Sequence, residues 1–206
     1  MSCELISVVK DIVVAISAAT ATYIAFKGLG AWQRELKGKS EYQLAKDVLR
    51  SVYKVREAFK HIRNPMIMSY EYPEEMRSHT GHLKEENRYE GTLHVYEGRW
   101  KLMTDAFKEL EDRNLEALVE WGSEYQNTIV PLRKCRGELL MAVQDTVGRY
   151  KNPHEENWKS RGEMAEEKSI LYYLGEDSEH DKFTSEINAA IELFEQWLRP
   201  HVSRNR

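Results

Sequence analysis

The sequence predicts an all-α protein, an N-terminal transmembrane helix followed by a bundle of four to five long helices. Three observations carry the prediction. Leu5–Phe26 is an apolar stretch near the N-terminus. Beyond it, apolar residues recur at spacings of three and four, the period of an amphipathic helix. With 11 glycines and 5 prolines among 206 residues, long uninterrupted helices are permitted.

A spanning helix needs about 20 residues at roughly 1.5 Å rise each. Ile12–Phe26 carries no charge but supplies only 15 residues; all 22 from Leu5 reach if Lys10 extends to the headgroups. A signal peptide would have positive charge before the apolar run and a small-residue cleavage site after it. Here the residues before Ile12 are nearly neutral, and the run exits through Lys27-Gly28-Leu29-Gly30-Ala31-Trp32 with helical patterning continuing. An interfacial helix would need a strongly charged face. A buried core helix is the remaining alternative to a membrane span.

The two sides of this helix differ. Ile12, Ile16, Tyr23 and Phe26 form a large apolar stripe suited to lipid. Asp11, Ala15, Ala18, Thr22 and Ala25 form a small-residue stripe, which lets membrane helices approach closely and suits a pore or an oligomer seam. An Asp there is costly against lipid and tolerable in a wet, shared interior. Lys27, Arg34, Lys37 and Lys39 follow the span, whereas Lys10 is balanced by Glu4 and Asp11. Positive residues stay cytoplasmic, so the expected topology is single-pass in a bacterial inner membrane, N-terminus outside, C-terminal domain inside. The partners expected are the lipid bilayer and further copies of the chain.

The expected domains are an anchor over 1–38 and a cytoplasmic helical domain over 39–206, the tether ending at Gly38 and Ser40 capping the next helix. In that helix Leu44, Val48, Val52, Val55, Phe59 and Ile62 form the core stripe. Lys46, Arg50, Lys54, Arg56, Lys60 and Arg63 are read as its exposed basic side. Asn64-Pro65 ends it. Residues 65–81 have no helical period and form a long loop. A second helix is expected from His82–Glu86 to about Glu111, with Leu93, Tyr96, Trp100, Met103, Phe107 and Leu110 inward, and Asp112-Arg113-Asn114 turning the chain. A third opens at Leu115 and is kinked or split at Pro131; Leu132, Cys135, Leu139, Val143 and Thr146 continue it to Arg149. Ile170–Leu174 is a short apolar run that periodicity alone leaves as extended chain or a helical turn. Thr184 or Ser185 caps the last helix, whose core face is Ile187, Ala190, Ile191, Phe194, Trp197 and Leu198. Arg199-Pro200-His201 is expected to stop it.

The chain has 30 basic and 34 acidic residues, a net charge of -4, so no global basic field points to nucleic acid. Cys3 and Cys135 have neither metal spacing nor a disulfide framework, and cytoplasmic exposure would keep Cys135 reduced. The seven histidines include no i, i+4 pair of the kind that forms a helical metal site. No phosphate-binding loop or nucleophile elbow is present, and no cofactor, metal or small-molecule substrate is expected.

One constellation remains. Arg149-Tyr150-Lys151-Asn152-Pro153-His154 puts an Arg and a His four intervening residues apart where a long core helix ends. It resembles the R-x4-6-H signature of HEPN domains, helical bundles that often dimerise and cut RNA without metal; Arg77…His82 and Arg88…His94 share the spacing. The polar residue common after the Arg in that family is Tyr150 here. The resemblance implies that His154 would move a proton at the attacking 2′-hydroxyl or leaving oxygen, and that Arg149 would stabilise charge on the phosphate. Both residues capping a helix end is the structural alternative. In layout the chain is similar to the small membrane accessory proteins of type VI-B RNA-targeting CRISPR systems. That resemblance implies an antiviral-defence protein that assembles into a membrane-depolarising pore and enhances an RNA-guided nuclease, with that nuclease or RNA as partner. A membrane-tethered, metal-independent ribonuclease and a structural membrane scaffold are the alternatives.

Overall fold

The computed structural model describes residues 2–122, 125, 128–151, 160–175 and 181–203. Five α-helices account for most of them: α1 (Ser2–Ile62), α2 (Arg88–Trp121), α3 (Val130–Lys151), α4 (Arg161–Leu171) and α5 (Lys182–Ser203). Among the described residues the only strand-like pairing is an isolated antiparallel bridge between Arg77 and Leu83. The chain divides into two compact units, Met1–Gln43 and Leu44–Arg206.

The first unit is one helix, the N-terminal two-thirds of α1. It does not break at Gly38, nor does a new helix begin at Ser40 as expected. An exposed helical glycine costs only about 1 kcal/mol relative to alanine. The ion pairs Glu35–Lys39 (2.7 Å) and Lys37–Glu41 (3.8 Å) bracket it at helical spacing and favour continuation. From Val13 to Leu36 no residue is buried.

In the second unit the periodicity places the core well. Val48, Val52, Val55, Phe59 and Ile62 on α1 are buried and meet Met103, Phe107 and Leu110 of α2, Leu132 and Leu139 of α3, and Ile187, Ile191 and Phe194 of α5. Phe59 stands edge-on to both Phe107 and Phe183, with ring centroids 6.2 and 6.4 Å away. The helix α3 packs against α2, α4 and α5, and α4 against α5.

Three expected boundaries are corrected. The chain does not turn at Asp112-Arg113-Asn114; α2 runs on to Trp121 because Asn114 and Ala117 are buried and continuing the helix keeps them there. It stops at Gly122, whose φ of +79° and ψ of -168° form an extended, positive-φ conformation essentially reserved for glycine, its N–H donating to Leu118 O at 2.9 Å. Leu115 and Val119 therefore belong to α2, and Pro131, rather than splitting a helix, sits in the first turn of α3, where its missing N–H costs nothing. At the other end α5 passes through Pro200 to Ser203. The turn beyond the proline is held by packing: His201 lies 4.8 Å from the Trp121 ring and 5.5 Å from that of Trp197.

The segment between α1 and α2 lacks helical period, as its sequence predicts, yet it is ordered. Ser69–Glu71, Glu74–Met76 and Glu85–Asn87 are 3-10 turns. Gly81, at φ +83°, turns the chain so that His82 O accepts from Ser78 N at 2.7 Å. Ser160 opens α4 with a capping box: its N–H donates to Glu163 Oε2 at 2.7 Å and its Oγ accepts from Glu163 N at 3.4 Å.

Candidate functional site

The uncovered part of α1 is the first candidate. It is long and apolar enough to cross a membrane, and none of its most apolar stretch is buried within the protein. That weighs against the core-helix alternative, since a core helix would be mostly buried. Ala15, Ala18, Thr22 and Ala25 are all exposed, on the face their spacing predicts; the side chain of Asp11 lies outside the described residues. The hydroxyls of Ser17, Thr20 and Thr22 each donate to the carbonyl four residues earlier, those of Val13, Ile16 and Ala18, at 2.8 Å. These three hydroxyls are thus satisfied within the helix itself.

Arg149 is the second candidate, and α3 presents it in its last turn. Its Nη1 donates to Glu167 Oε2 at 2.8 Å, its Nη2 to Thr146 Oγ1 at 2.9 Å, and Nη2 also donates to Glu167 Oε1. Thr146 Oγ1 in turn donates to Glu167 Oε1 at 2.6 Å. Glu167 comes from α4 and is buried, so the three residues form a clamp joining α3 to α4. Hydrogen bonding to Glu167 raises the Arg149 guanidinium further above its ordinary value. His154 lies outside the described residues. The fork of Arg149 that would face a phosphate is occupied by a carboxylate of its own chain.

Sequence reasoning placed one arginine wrongly and missed the role of another. Arg63, expected on the exposed basic side, is fully buried. Its Nε donates to Ile170 O (2.7 Å), its Nη1 to Thr184 Oγ1 (2.6 Å), and its Nη2 to Ser169 O, Tyr172 O and Asp181 Oδ1 (3.1, 2.9 and 2.7 Å). Arg99 of α2, also buried, donates to Glu71 Oε2 at 2.7 Å and Oε1 at 3.0 Å, and to the carbonyls of Asn64 (2.6 Å) and Met66 (2.8 Å). Arg99 grips the end of α1, whereas Arg63, standing just past that end, grips the end of α4 and the start of α5; each uses carbonyls and one carboxylate. Residue spacing places Arg63 one position past Ile62 on the core stripe, but nothing local reveals an acidic partner 118 residues away.

A metal was not expected, and the fold does gather one mixed set of ligand types: Cys135, Glu138 and Glu186, with ligand atoms within 4.8 Å of one another. Burial first, then those two carboxylates, push the Cys135 thiol up to about 11. A protonated thiol beside a carboxylate already paired with Lys134 at 3.5 Å makes a weak donor set. Two open grooves also mark the second unit. One of about 980 Å³ lies between α1 and α2, lined by Leu49, Tyr53, Ala58, Leu102 and Ala106. One of about 760 Å³ lies between α2 and α3, lined by Tyr89, Leu93, Tyr96, Trp100 and Val147. Arg149 lines neither.

Compared with known proteins, the chain matches no family profile, no curated protein and no solved structure. Fold and site together define a class: an all-helical bundle whose first helix carries a long, apolar, uncovered N-terminal stretch.

Proposed function

We propose that this chain is a single-pass bacterial inner-membrane protein, N-terminus outside and helical domain in the cytoplasm. In this reading it assembles through its first helix into a membrane-depolarising pore that supports an RNA-guided nuclease in antiviral defence. One observation carries the membrane part: an apolar helical stretch that nothing in the protein covers. Leaving Val13, Val14, Ile16, Tyr23, Ile24 and Phe26 in water would cost about 25 cal/mol per Å² of apolar surface, a cost that a bilayer removes. Self-association is supported by the Ala15, Ala18, Thr22 and Ala25 face, which permits close helix approach. The defence role, the HEPN-like nature of the bundle and the nuclease partner rest on the similarity in layout to type VI-B accessory proteins.

A specific observation weighs against the ribonuclease alternative. The Arg149 donors are committed to Glu167 and Thr146, which fits a residue that ties helices together. The test follows membrane potential in cells expressing the protein with an activated nuclease partner, alongside RNA incubation of the purified protein. Depolarisation that is lost in Ala18→Leu and Thr22→Leu, together with a smaller assembly in detergent, is expected. Metal-independent RNA cleavage abolished by His154→Ala, with an undisturbed membrane potential, would replace the pore by the nuclease.

A further inference from the structure

The two grooves of the helical domain differ in what their polar groups do. In the one between α1 and α2, Tyr53 donates to Glu195 at 2.8 Å, Lys54 pairs with Glu109 at 2.6 Å, and Arg50 pairs with Asp47 at 3.1 Å. The fold itself satisfies that rim. In the one between α2 and α3 the walls are apolar and aromatic, from Tyr89, Leu93 and Trp100 on α2 to Leu140, Val143 and Val147 on α3. Tyr89, Leu93 and Trp100 pack on the core yet stay only half-buried. The volume of about 760 Å³ is that of a small-molecule site.

The ends of this groove carry different chemistry. Lys151 Nζ lies 5.7 Å from the centroid of the Tyr89 ring, so one end is formed where α2 begins and α3 finishes. Among the described residues Lys151 has no carboxylate partner. Arg88, stacked on Tyr150 beside it, is committed to Glu85 at 2.8 Å. Tyr96, 7% exposed, lines the groove, and among the described residues its hydroxyl has no hydrogen-bond partner. Burial pushes that hydroxyl up to about 12, so at neutral pH it is a donor. The phenols of Tyr172 and Tyr150 also bear on it, and Tyr150 directly precedes Lys151, which sets the hydroxyl at the same end. The other rim charges, Glu97, Lys101 and Asp105, alternate in sign one helical turn apart along α2, away from that end.

We propose that this groove binds one long-chain fatty acid as its carboxylate, the head held by Lys151 and the Tyr96 hydroxyl and the chain laid towards Leu140. One uncommitted cation matches one negative charge, and a cation with a phenol supplies a donor for each carboxylate oxygen. An unpartnered buried hydroxyl is costly unless something accepts from it. From Lys151 to Leu140 the apolar wall of α3 runs for about 16 Å, a long slot suited to an extended chain rather than a compact ring system. Gly148 stands in this wall. A Cβ there would meet nothing within 4 Å, so no contact within the chain calls for glycine, which weakens a helix interior. Its missing side chain keeps the slot open.

The experiment uses the full chain in lipid nanodiscs and palmitic acid carrying a diazirine in its chain, with cross-linked peptides located by mass spectrometry. Saturable labelling within 88–105 and 140–151, displaced by palmitate but not by hexadecanol, is expected. Lys151→Gln should weaken binding about tenfold and Tyr96→Phe about fivefold. Gly148→Leu should abolish groove labelling with helix content and melting unchanged, since the chain leaves that side chain open space. Labelling confined to α1 would be partition into the bilayer and would overturn the site. So would groove labelling that survives both Lys151→Gln and Gly148→Leu. Equal displacement by hexadecanol would remove the carboxylate head, and stronger displacement by a lysophospholipid would give the groove to a phosphate head; either result overturns the fatty acid.

Discussion

Arg63 and Asp181, 118 residues apart in sequence, meet at 2.7 Å with neither side chain exposed beyond 1%. Around this pair the end of α1, the end of α4 and the start of α5 are held together. Asp181 does two jobs at once. Its Oδ1 caps α5 by accepting from Thr184 N at 2.9 Å, and its Oδ2 accepts from Leu174 N at 3.0 Å. The carbonyl of Arg63 also accepts from Tyr173 N at 2.8 Å, so Ile170–Leu174, ambiguous by periodicity, ends α4 and then runs extended against α1.

Asp181→Asn should therefore destabilise the helical domain by about 3–5 kcal/mol, since it leaves the buried Arg63 charge without its counter-ion. Thermal or urea unfolding of the full chain, followed by circular dichroism, measures it. The pairing would be dispensable if the loss stayed within about 0.5 kcal/mol, the range of an ordinary surface substitution.

Acid should act through the same pair. Burial by itself would raise the Asp181 carboxyl, but hydrogen bonds from Leu174 N–H, Arg63 and Thr184 outweigh it and hold the group below its ordinary range. The unfolded chain then takes up the proton first. The stabilisation is whole above the unfolded value of about 3.9 and is lost as pH falls through the folded value, at a slope approaching about 1.4 kcal/mol per pH unit. Unfolding free energy measured from pH 7 down to pH 2 should fall less steeply below pH 4 in Asp181→Asn than in the parent.

Glu167→Gln tests the clamp. It removes the charge that Arg149 is turned towards and should cost about 1–3 kcal/mol, the range for a broken buried hydrogen bond. Arg149→Gln should cost a similar amount, and the double variant less than the sum of the two, as for groups in contact. An Arg149 reserved for phosphate would instead leave stability nearly unchanged while altering RNA binding.

Topology is checked from outside intact cells with a membrane-impermeant thiol reagent. Cys3 should label and a cysteine replacing Gly38 should not. The reverse pattern would invert the orientation that Lys27, Arg34, Lys37 and Lys39 set.

Much of this protein was determined by its sequence alone. Apolar spacing located the buried faces of α1, α2, α3 and α5, because a helix that buries one stripe must repeat it every 3.6 residues. The uncharged run from Ile12 to Phe26 likewise identified the stretch that the fold leaves uncovered. Tertiary structure decided what local rules left open. Gly38, Asn114 and Pro200 are breakers by propensity, yet helix continues through each, because a local cost of about 1–3 kcal/mol yields to flanking ion pairs or to packing. Arg149 was legible as a residue at the end of a core helix; its partner Glu167 was not, since no periodicity relates α3 to α4. Arg63 was misplaced for the same reason. A charge belongs outside unless a distant carboxylate and several carbonyls converge on it, and only the fold brings Asp181, Thr184 and the end of α4 to that point.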